Sequence, residues 1–187
     1  MNEGDLVELI EEDEWMMEIL RAAQVLLLPD WWICAGFVRS KIWDVLHKHR
    51  ERTPIPNIDV IYFNSQNMVE REEKAYERKL HSILPSIPWS VKNEARMHMR
   101  NKVSPYSSSV DAIAKFPETA TALGVKLEKG DNVVLAAPYG ISDAVNLKVK
   151  PTPFFTKTEE RMKIYKERLY RKDWKRVWKD LKIDSVN

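Results

Sequence analysis

Residues 31–40 of this 187-residue chain read WWICAGFVRS, and this stretch decides how the fold begins. The short apolar run 32–35 is typical of a buried strand, and Gly36 ends it. Apolar residues then recur at spacings of three and four from Phe37 to Leu46, which indicates a helix. The sequence therefore predicts a tight strand-to-helix turn at Gly36.

The turn at Gly36 has the features of an anion site. A glycine lets the backbone approach a ligand closely, and the first N–H groups and the dipole of the following helix favour negative charge. Arg39 could add a charge-assisted contact to phosphate and Ser40 a hydroxyl, although Arg39 could instead be a surface residue of the helix. A single glycine at a strand end is common, so the prediction depends on a second feature.

That second feature is Asn57-Ile58-Asp59, at the start of a predicted strand over 58–63. Residues two apart in a strand point the same way, so Asn57 and Asp59 should face one site beside the turn at Gly36. Two carboxylates in this arrangement can hold Mg²⁺ and position an in-line attack on a phosphoryl group. Here Asn57 offers a carbonyl oxygen but removes a negative charge. The alternative for Asp59 is a strand-end acid bonded to nearby backbone.

Periodicity and turn residues predict the remaining elements. These are one or two amphipathic helices between Leu6 and Leu28, a helical segment 68–84, a half-exposed strand 89–100, a short helix 110–116, a hairpin of strands 120–127 and 133–137 with its turn at 129–132, an extended piece 148–150, and a helix 158–181 broken near Asp173. We expect an α/β fold in one domain over 1–187, with a helical segment 1–28, a core 29–153 and a helical tail 154–187.

The composition suits a globular chain, since 44% of the residues are hydrophobic. Lys and Arg number 30 against 28 Asp and Glu, so the net charge of +2 does not by itself indicate nucleic acid. The one cysteine, Cys34, cannot form an internal disulfide and is expected to be a small buried hydrophobe. The sequence has no signal-peptide pattern and no apolar stretch of spanning length, so we expect a cytoplasmic location and no membrane contact.

The tail is rich in Lys and Arg interleaved with Tyr and Trp, a combination that can bind nucleic acid. Several apolar residues of the tail nevertheless keep helical spacing: Tyr165, Leu169, Val177, Trp178 and Leu181. We therefore expect a stripe that faces the core, with the lysines in water.

The histidines give no metal-site pattern. His47 and His49 are two apart on a predicted helix and should not share a face. His81 and His98 have no partner at a ligand spacing. A zinc site is therefore not expected.

The chain resembles a family of bacterial nucleotidyltransferase-like proteins in the DNA polymerase beta nucleotidyltransferase superfamily. The resemblance covers most of the chain from Pro29 to Pro153. It is carried by these segments: Pro29–Ile33, Ala35–Arg39, Ile58–Phe63, Pro88–Asn93, Ala95–His98, Pro117–Ala122, Ala137–Gly140 and Pro151–Pro153.

A more distant resemblance is to the head domain of CCA-adding enzymes and poly(A) polymerases. Their pattern is a Gly-x-x-Arg turn, an Asp-x-Asp strand and a hairpin that ends in a Pro-aromatic-Gly turn. Residues 36–39, 57–59 and 138–140 fall in that order. The resemblance implies a mixed β-sheet flanked by helices, with a triphosphate near Gly36, Arg39 and Ser40.

The same resemblance implies a Mg²⁺-dependent reaction. Asp59 and Asn57 would hold the metal, and a nucleoside monophosphate would pass from an NTP, ATP or CTP, to an acceptor. RNA is one candidate acceptor, and the sequence does not specify the oligomeric state. Lys92 and Arg96 could line the nucleotide cleft or form a solvated strand face. Glu118 could contact the ribose, serve as a third acid, or cap a helix.

Three departures from the pattern create an alternative. The position of Asn57 is usually Asp in both groups, and Ala35 stands where many polymerase-type relatives have a second glycine. The segment 115–117 also lacks the Arg-Arg-Asp with which CCA-adding enzymes hold an incoming nucleotide. The alternative to an active transferase is thus a catalytically inactive nucleotide-binding or protein-interaction module of the same fold.

Overall fold

Five strands form a central mixed sheet in a computed structural model that describes residues 1–128 and 130–184. The strand order is β3-β2-β1-β4-β5; β2 and β3 are parallel, and the other neighbouring strands are antiparallel. The bounds are β1 Trp32–Cys34, β2 Ile58–Tyr62, β3 Trp89–Asn93, β4 Gly124–Leu127 and β5 Val133–Ala136. Two further short strands pair in parallel, β6 Lys148–Val149 and β7 Lys182–Ile183. The predicted mixed sheet and the β4–β5 hairpin are confirmed.

Helices flank the sheet, as the sequence predicts. Their bounds are α1 Glu3–Glu11, α2 Glu14–Gln24, α3 Gly36–Leu46, α4 Glu70–Ile83, α5 Glu94–Asn101, α6 Ser109–Ile113, α7 Ser142–Val145 and α8 Glu159–Lys172. Polar caps explain several starts: the side chains of Asn2, Asp13 and Thr158 accept hydrogen bonds from the first turns of α1, α2 and α8. Within residues 1–128 and 130–184, no helix is long and apolar enough to cross a membrane.

The two faces of the sheet are covered unequally. One face, with Ile33, Ile58 and Val60, joins the N-terminal helices, α3 and the tail in a large hydrophobic cluster. The other face, with Cys34 and Ile61, belongs to a smaller cluster. Since side chains alternate along a strand, Asp59 lies on the side of the smaller cluster.

The edge strand β3 is shorter than predicted. Asn93 ends it, because its side chain accepts a hydrogen bond from the backbone N–H of Ala95 and caps α5. The predicted strand over 89–100 was therefore wrong beyond Asn93, where a short polar–apolar alternation concealed good helix formers. The exposed edge is closed by α4, since Glu77 and Glu73 accept hydrogen bonds from the backbone N–H groups of Val91 and Asn93.

Two further predictions need correction. The strand predicted over 120–127 begins only at Gly124, because residues Thr119–Thr121 form a 3-10 turn. His47 and His49 were placed on one helix, but the helix ends at Leu46 and Lys48 has a φ of 53°. The two imidazole rings therefore lie side by side, with their centroids 5.7 Å apart.

The tail helix α8 ends where the sequence predicts a break. Asp173 has a left-handed φ of 41°, and Trp174–Arg176 form a 3-10 turn after it. Within the predicted stripe Tyr165, Trp178 and Leu181 are buried, whereas Val177 is exposed. Lys129 of the predicted hairpin turn and residues 185–187 of the predicted tail lie outside the described residues.

Candidate functional site

The two sequence features meet at one end of the sheet. Strands β1 and β2 are antiparallel, with Cys34 opposite Asp59, and two more residues of that register would place Gly36 opposite Asn57. Helix α3 packs on the large-cluster face, and Asp59 points to the other side. The turn that joins β1 to α3 nevertheless lies level with the start of β2. The charge of Asp59 acts on the pKa of Arg39, so the carboxylate and the first turns of α3 lie within electrostatic reach of each other.

The turn itself is strained and its helix is uncapped. Ala35, the residue before the helix, has φ 55° and ψ −111°, an unfavourable conformation for a residue with a Cβ. It provides no side-chain cap for the first N–H groups of α3. A Cβ at position 36 would lie 3.3 Å from Arg39 Nη2, so Gly36 leaves room for the guanidinium beside the first turn.

Asn57 and Asp59 are brought together by the strand period. The Asn57 Nδ2 group donates a 2.5 Å hydrogen bond to Asp59 Oδ1, and the Ser90 side chain also bonds to the Asp59 carboxylate. Burial raises the pKa of Asp59, while these two hydrogen bonds and the positive charges of Lys172 and Arg168 act in the opposite direction. Asp59 is thus a half-buried acid within reach of several positive charges.

Arg39 is a buried cation held mainly by aromatic rings. Its side chain is 7% exposed, and its Cζ lies 4.9, 4.6 and 5.5 Å from the ring centroids of Trp43, Trp174 and Trp178. Its Nη2 donates to Ser40 Oγ at 3.3 Å. Burial lowers the pKa of Arg39 to about 10, although the charges of Glu118, Asp44 and Asp59 oppose this.

One donor of Arg39 is left over. Among the buried side-chain nitrogen and oxygen atoms of the described chain, only Arg39 Nε has no hydrogen-bond partner. Within residues 1–128 and 130–184, no carboxylate forms an ion pair with the Arg39 guanidinium. Because an unsatisfied buried donor is costly, this position suits an anionic ligand.

Two cations of α8 were missed at the level of sequence. Neither Arg168 nor Lys172 was predicted to take part in the site; Lys172 is exposed, as expected of the tail lysines, yet both charges act on the pKa of Asp59. The Arg168 Nε donates to Glu118 Oε1 at 2.6 Å, and Arg168 Cζ lies 5.8 Å from the Trp174 ring centroid. A basic residue every fourth position on a helix is a common solvated pattern, so only the docking of the tail could reveal them.

Glu118 does not lie open to a nucleotide. Its side chain is fully buried and accepts hydrogen bonds from Arg168 Nε and Thr121 Oγ1, each at 2.6 Å. Its side chain does not cap the 3-10 turn that follows it, and its carboxylate forms an ion pair that orients Arg168.

Lys92 and Arg96 are also drawn elsewhere. Arg96 Nε and Nη2 donate to the two carboxylate oxygens of Glu73 at 2.9 and 2.8 Å, which is a bidentate pair. Lys92 Nζ lies 3.7 Å from carboxylate oxygens of both Glu73 and Glu77. The structure therefore binds both cations to α4, which closes the sheet edge, and does not gather them with Arg39.

Glu94 is a buried acid that forms no ion pair with any of the described residues. Its side chain is 7% exposed, and burial, with the negative charges of Glu73 and Asp59, raises its pKa to about 8, whereas Lys92 acts in the opposite direction. The folded chain therefore keeps a proton on Glu94 at pH values above 4.5, the ordinary pKa at which the unfolded chain releases it.

We expect Glu94 to make the protein less stable as pH rises. The raised pKa contributes stability that is complete below pH 4.5 and is lost as pH rises through about 8. Glu94→Gln keeps a neutral side chain, so its advantage over the natural chain should grow to about 5 kcal/mol at pH 9. Urea denaturation at pH 4.5, 7 and 9 measures this. A difference that stays constant across pH would contradict the prediction.

The fold and this end of the sheet define a class: a nucleotidyltransferase head domain, built as a mixed sheet with an uncapped glycine-led helix beside an Asp-bearing strand. Comparison with known proteins agrees. The chain belongs to the nucleotidyltransferase family, whose model matches residues 21–183.

Similar solved structures place the chain more closely. One whose NMR structure is described as revealing a CCA-adding enzyme head domain is 36% identical, with a TM-score of 0.89 over 99% of this chain and 97% of that one. The Thermotoga maritima CCA-adding enzyme complexed with tRNA is 14% identical, with a TM-score of 0.57 over 100% of this chain and 43% of that one. A CCA-adding enzyme in complex with ATP is 13% identical, with a TM-score of 0.55 over 100% and 44%.

These matches differ in what they establish. The chain spans less than half the length of the two CCA-adding enzymes, and at this identity they show the fold alone. No curated protein matches the sequence. The family and the head-domain fold are therefore established.

Proposed function

We propose that this protein binds the triphosphate of an NTP between the first turn of α3 and Asp59, and transfers a nucleoside monophosphate to an acceptor with the help of Mg²⁺. One observation carries the proposal: the buried guanidinium of Arg39, with a free Nε donor, lies beside an uncapped helix N-terminus. Phosphate supplies the acceptor oxygens that both groups lack.

The oxygens beside this turn suit one hard cation. Asp59 offers an anionic oxygen, and burial raises its pKa, so a neighbouring positive charge would stabilise the carboxylate. Rotation of the Asn57 amide would present its carbonyl oxygen in place of Nδ2. Mg²⁺ commonly keeps several waters and takes few protein ligands. When bound, it would neutralise charge on the phosphoryl oxygens of the NTP.

The chain's own residues would bind and orient the substrate. The N–H groups of the first turn of α3 and Arg39 would hold phosphate oxygens, and the three tryptophans around Arg39 fix its guanidinium in place. CCA-adding enzymes of this fold have been solved with ATP and with CTP, so these NTPs are the first candidates. A tRNA complex of the same fold makes RNA a candidate acceptor. A cytoplasmic setting belongs to the proposal, since Cys34 is a buried free thiol.

A second candidate function is a nucleotide-binding module without catalysis. It is favoured by the Asn57 amide, which donates to Asp59 Oδ1 and so occupies an oxygen that a metal would use. No group of three or more His, Cys, Asp or Glu side chains within residues 1–128 and 130–184 is placed to hold a metal ion. Such a module would bind NTP through Arg39 but turn it over slowly or not at all.

Arg39→Met tests the phosphate site that both candidates share. Methionine keeps an apolar side chain among the tryptophans while removing the charge and donors, so we expect a Kd for ATP or CTP higher by roughly 10- to 100-fold. Lys175→Ala, an exposed cation of the tail, is the matched control and should change the Kd less than twofold, about the effect of a screened surface charge. Calorimetry measures both variants. Equal losses in the two would indicate nonspecific electrostatics instead of a phosphate site.

A further inference from the structure

Two cations of α8 stand beside the proposed phosphate site. Arg168 and Lys172 are four residues apart on one helix, so they lie on the same face, one turn from each other. Arg168 and Arg39 both contact the ring of Trp174. The Arg168 Cζ lies 5.8 Å from the ring centroid and the Arg39 Cζ lies 4.6 Å from it. The tail therefore brings its basic face to Arg39.

Arg168 is oriented by a buried carboxylate yet keeps donors to offer. The Glu118 side chain fixes Arg168 through Nε alone, at 2.6 Å, and is itself held by Thr121. A guanidinium has five N–H donors, so the four on its two Nη atoms remain for another acceptor. The Arg168 side chain is 28% exposed, which leaves those donors within reach of a ligand.

Lys172 has no ion pair or hydrogen bond to any other described residue. Three influences lower the pKa of Lys172: burial is the largest, followed by the positive charges of Arg168 and of Arg39. Asp59 and Glu118 act in the opposite direction but do not contact the ammonium. Lys172 is exposed, so its ammonium is open to an anionic ligand.

We propose that Arg168 and Lys172 form the second half of the triphosphate site and bind the β- and γ-phosphates, the pyrophosphate portion of the NTP. This inference rests on the proposed function and assigns a part of the site to the C-terminal tail. A polyphosphate matches the arrangement because it spreads several negative charges over a length that one cation cannot cover. Glu118 is the positioning residue, since it acts through Arg168.

A small polyphosphate fits better than the backbone of an RNA acceptor. Arg168 shares the Trp174 ring with Arg39, where the NTP would lie, and Lys172 follows one turn later on the same face of α8. The outer face of α8 instead carries Tyr170, which is 89% exposed. An exposed aromatic beside basic residues is the feature that suits a single strand.

The test compares Lys172→Ala with Lys166→Ala, another exposed lysine of the same helix but on a different face from Arg168, against ATP, inorganic tripolyphosphate and AMP. We expect Lys172→Ala to weaken ATP and tripolyphosphate by roughly tenfold and to leave AMP unchanged, because AMP lacks the β- and γ-phosphates. Glu118→Gln should weaken the binding of ATP as well. A loss of ATP affinity in this variant at the thermal stability of the natural chain would support the positioning role of Glu118. Lys166→Ala should leave all three affinities unchanged.

The outcomes separate this inference from the proposed function. If Lys172→Ala binds ATP and tripolyphosphate as the natural chain does while Arg39→Met loses ATP, the inference falls and the proposed function stands. If Lys172→Ala loses a single-stranded RNA oligonucleotide but keeps ATP, the cations serve the acceptor, and the inference is overturned. If the natural chain binds neither ATP nor tripolyphosphate, both fall.

Discussion

Replacing Asn57 by Asp should raise Mg²⁺-dependent turnover of NTP by roughly two orders of magnitude. The substitution gives the site a second anionic oxygen, and a hard cation prefers charged oxygens to a neutral amide. It also removes the hydrogen bond that Asn57 Nδ2 donates to Asp59 Oδ1, which frees that oxygen. Metal affinity should rise together with turnover, and the natural chain should be slow or silent in the same assay.

Release of pyrophosphate from ATP and CTP, with and without Mg²⁺, measures this effect. Asn57→Ser is the matched control, because it removes the amide without adding a charge and should not gain activity. The double variant Asn57→Asp with Asp59→Asn has a single carboxylate again, now at position 57. It should lose the gain in turnover. Rapid turnover by the natural chain, unchanged in Asn57→Asp, would show that residue 57 is not a metal ligand. A higher metal affinity without turnover would favour the binding module.

Replacing Trp43 by Ala should cost about 3–5 kcal/mol in the free energy of unfolding. Trp43 is fully buried, its indole N–H donates to the Ala144 carbonyl at 3.1 Å, and its ring lies edge-on to those of Trp174 and Trp178 at 5.5 and 5.1 Å. The substitution leaves a large cavity and removes two aromatic pairs, each with a contribution of about 0.5–1.5 kcal/mol beyond burial. The tail should therefore lose its attachment to α3.

Urea denaturation measures the loss, and Trp43→Phe should lose much less because it keeps an aromatic ring in the same place. Binding of ATP should weaken in Trp43→Ala even at a temperature where the chain stays folded, since Arg39 loses part of its aromatic support. A loss below about 1 kcal/mol would mean that the cavity collapses without cost, contrary to what a packed core allows. Unchanged ATP affinity would show that the tail is not needed to shape the site.

Local patterns predicted the part of the fold that carries the site. The buried strand, Gly36 and the helix after it, the strand from Ile58 and the break at Asp173 all follow from short-range spacing and turn chemistry. The two-residue period of a strand also brought Asn57 and Asp59 together. The family followed from the same segments, and the family model confirms it over residues 21–183.

Where local signals were short, they misled. The alternation after Trp89 favoured a longer strand, yet the Asn93 side chain caps a helix that begins at Glu94. Lys92 and Arg96 could line the nucleotide cleft or form a solvated strand face by sequence alone, but α4 offers them the carboxylates of Glu73 and Glu77. A residue's sequence neighbours fix which face it occupies, and only the packing of a distant helix fixes its partner.

The sequence by itself determined the strand-to-helix turn, the Asp-bearing strand and the class of fold, because these depend on spacing within a few residues. Tertiary structure alone decided how the site is completed. The Trp178 indole bonds to Asp44 across 134 residues of chain, and Arg168 bonds to Glu118 across 50. A helical period shows which residues share a face but not what that face meets, so the arrival of Arg168 and Lys172 beside Asp59 follows only from docking the tail onto α3.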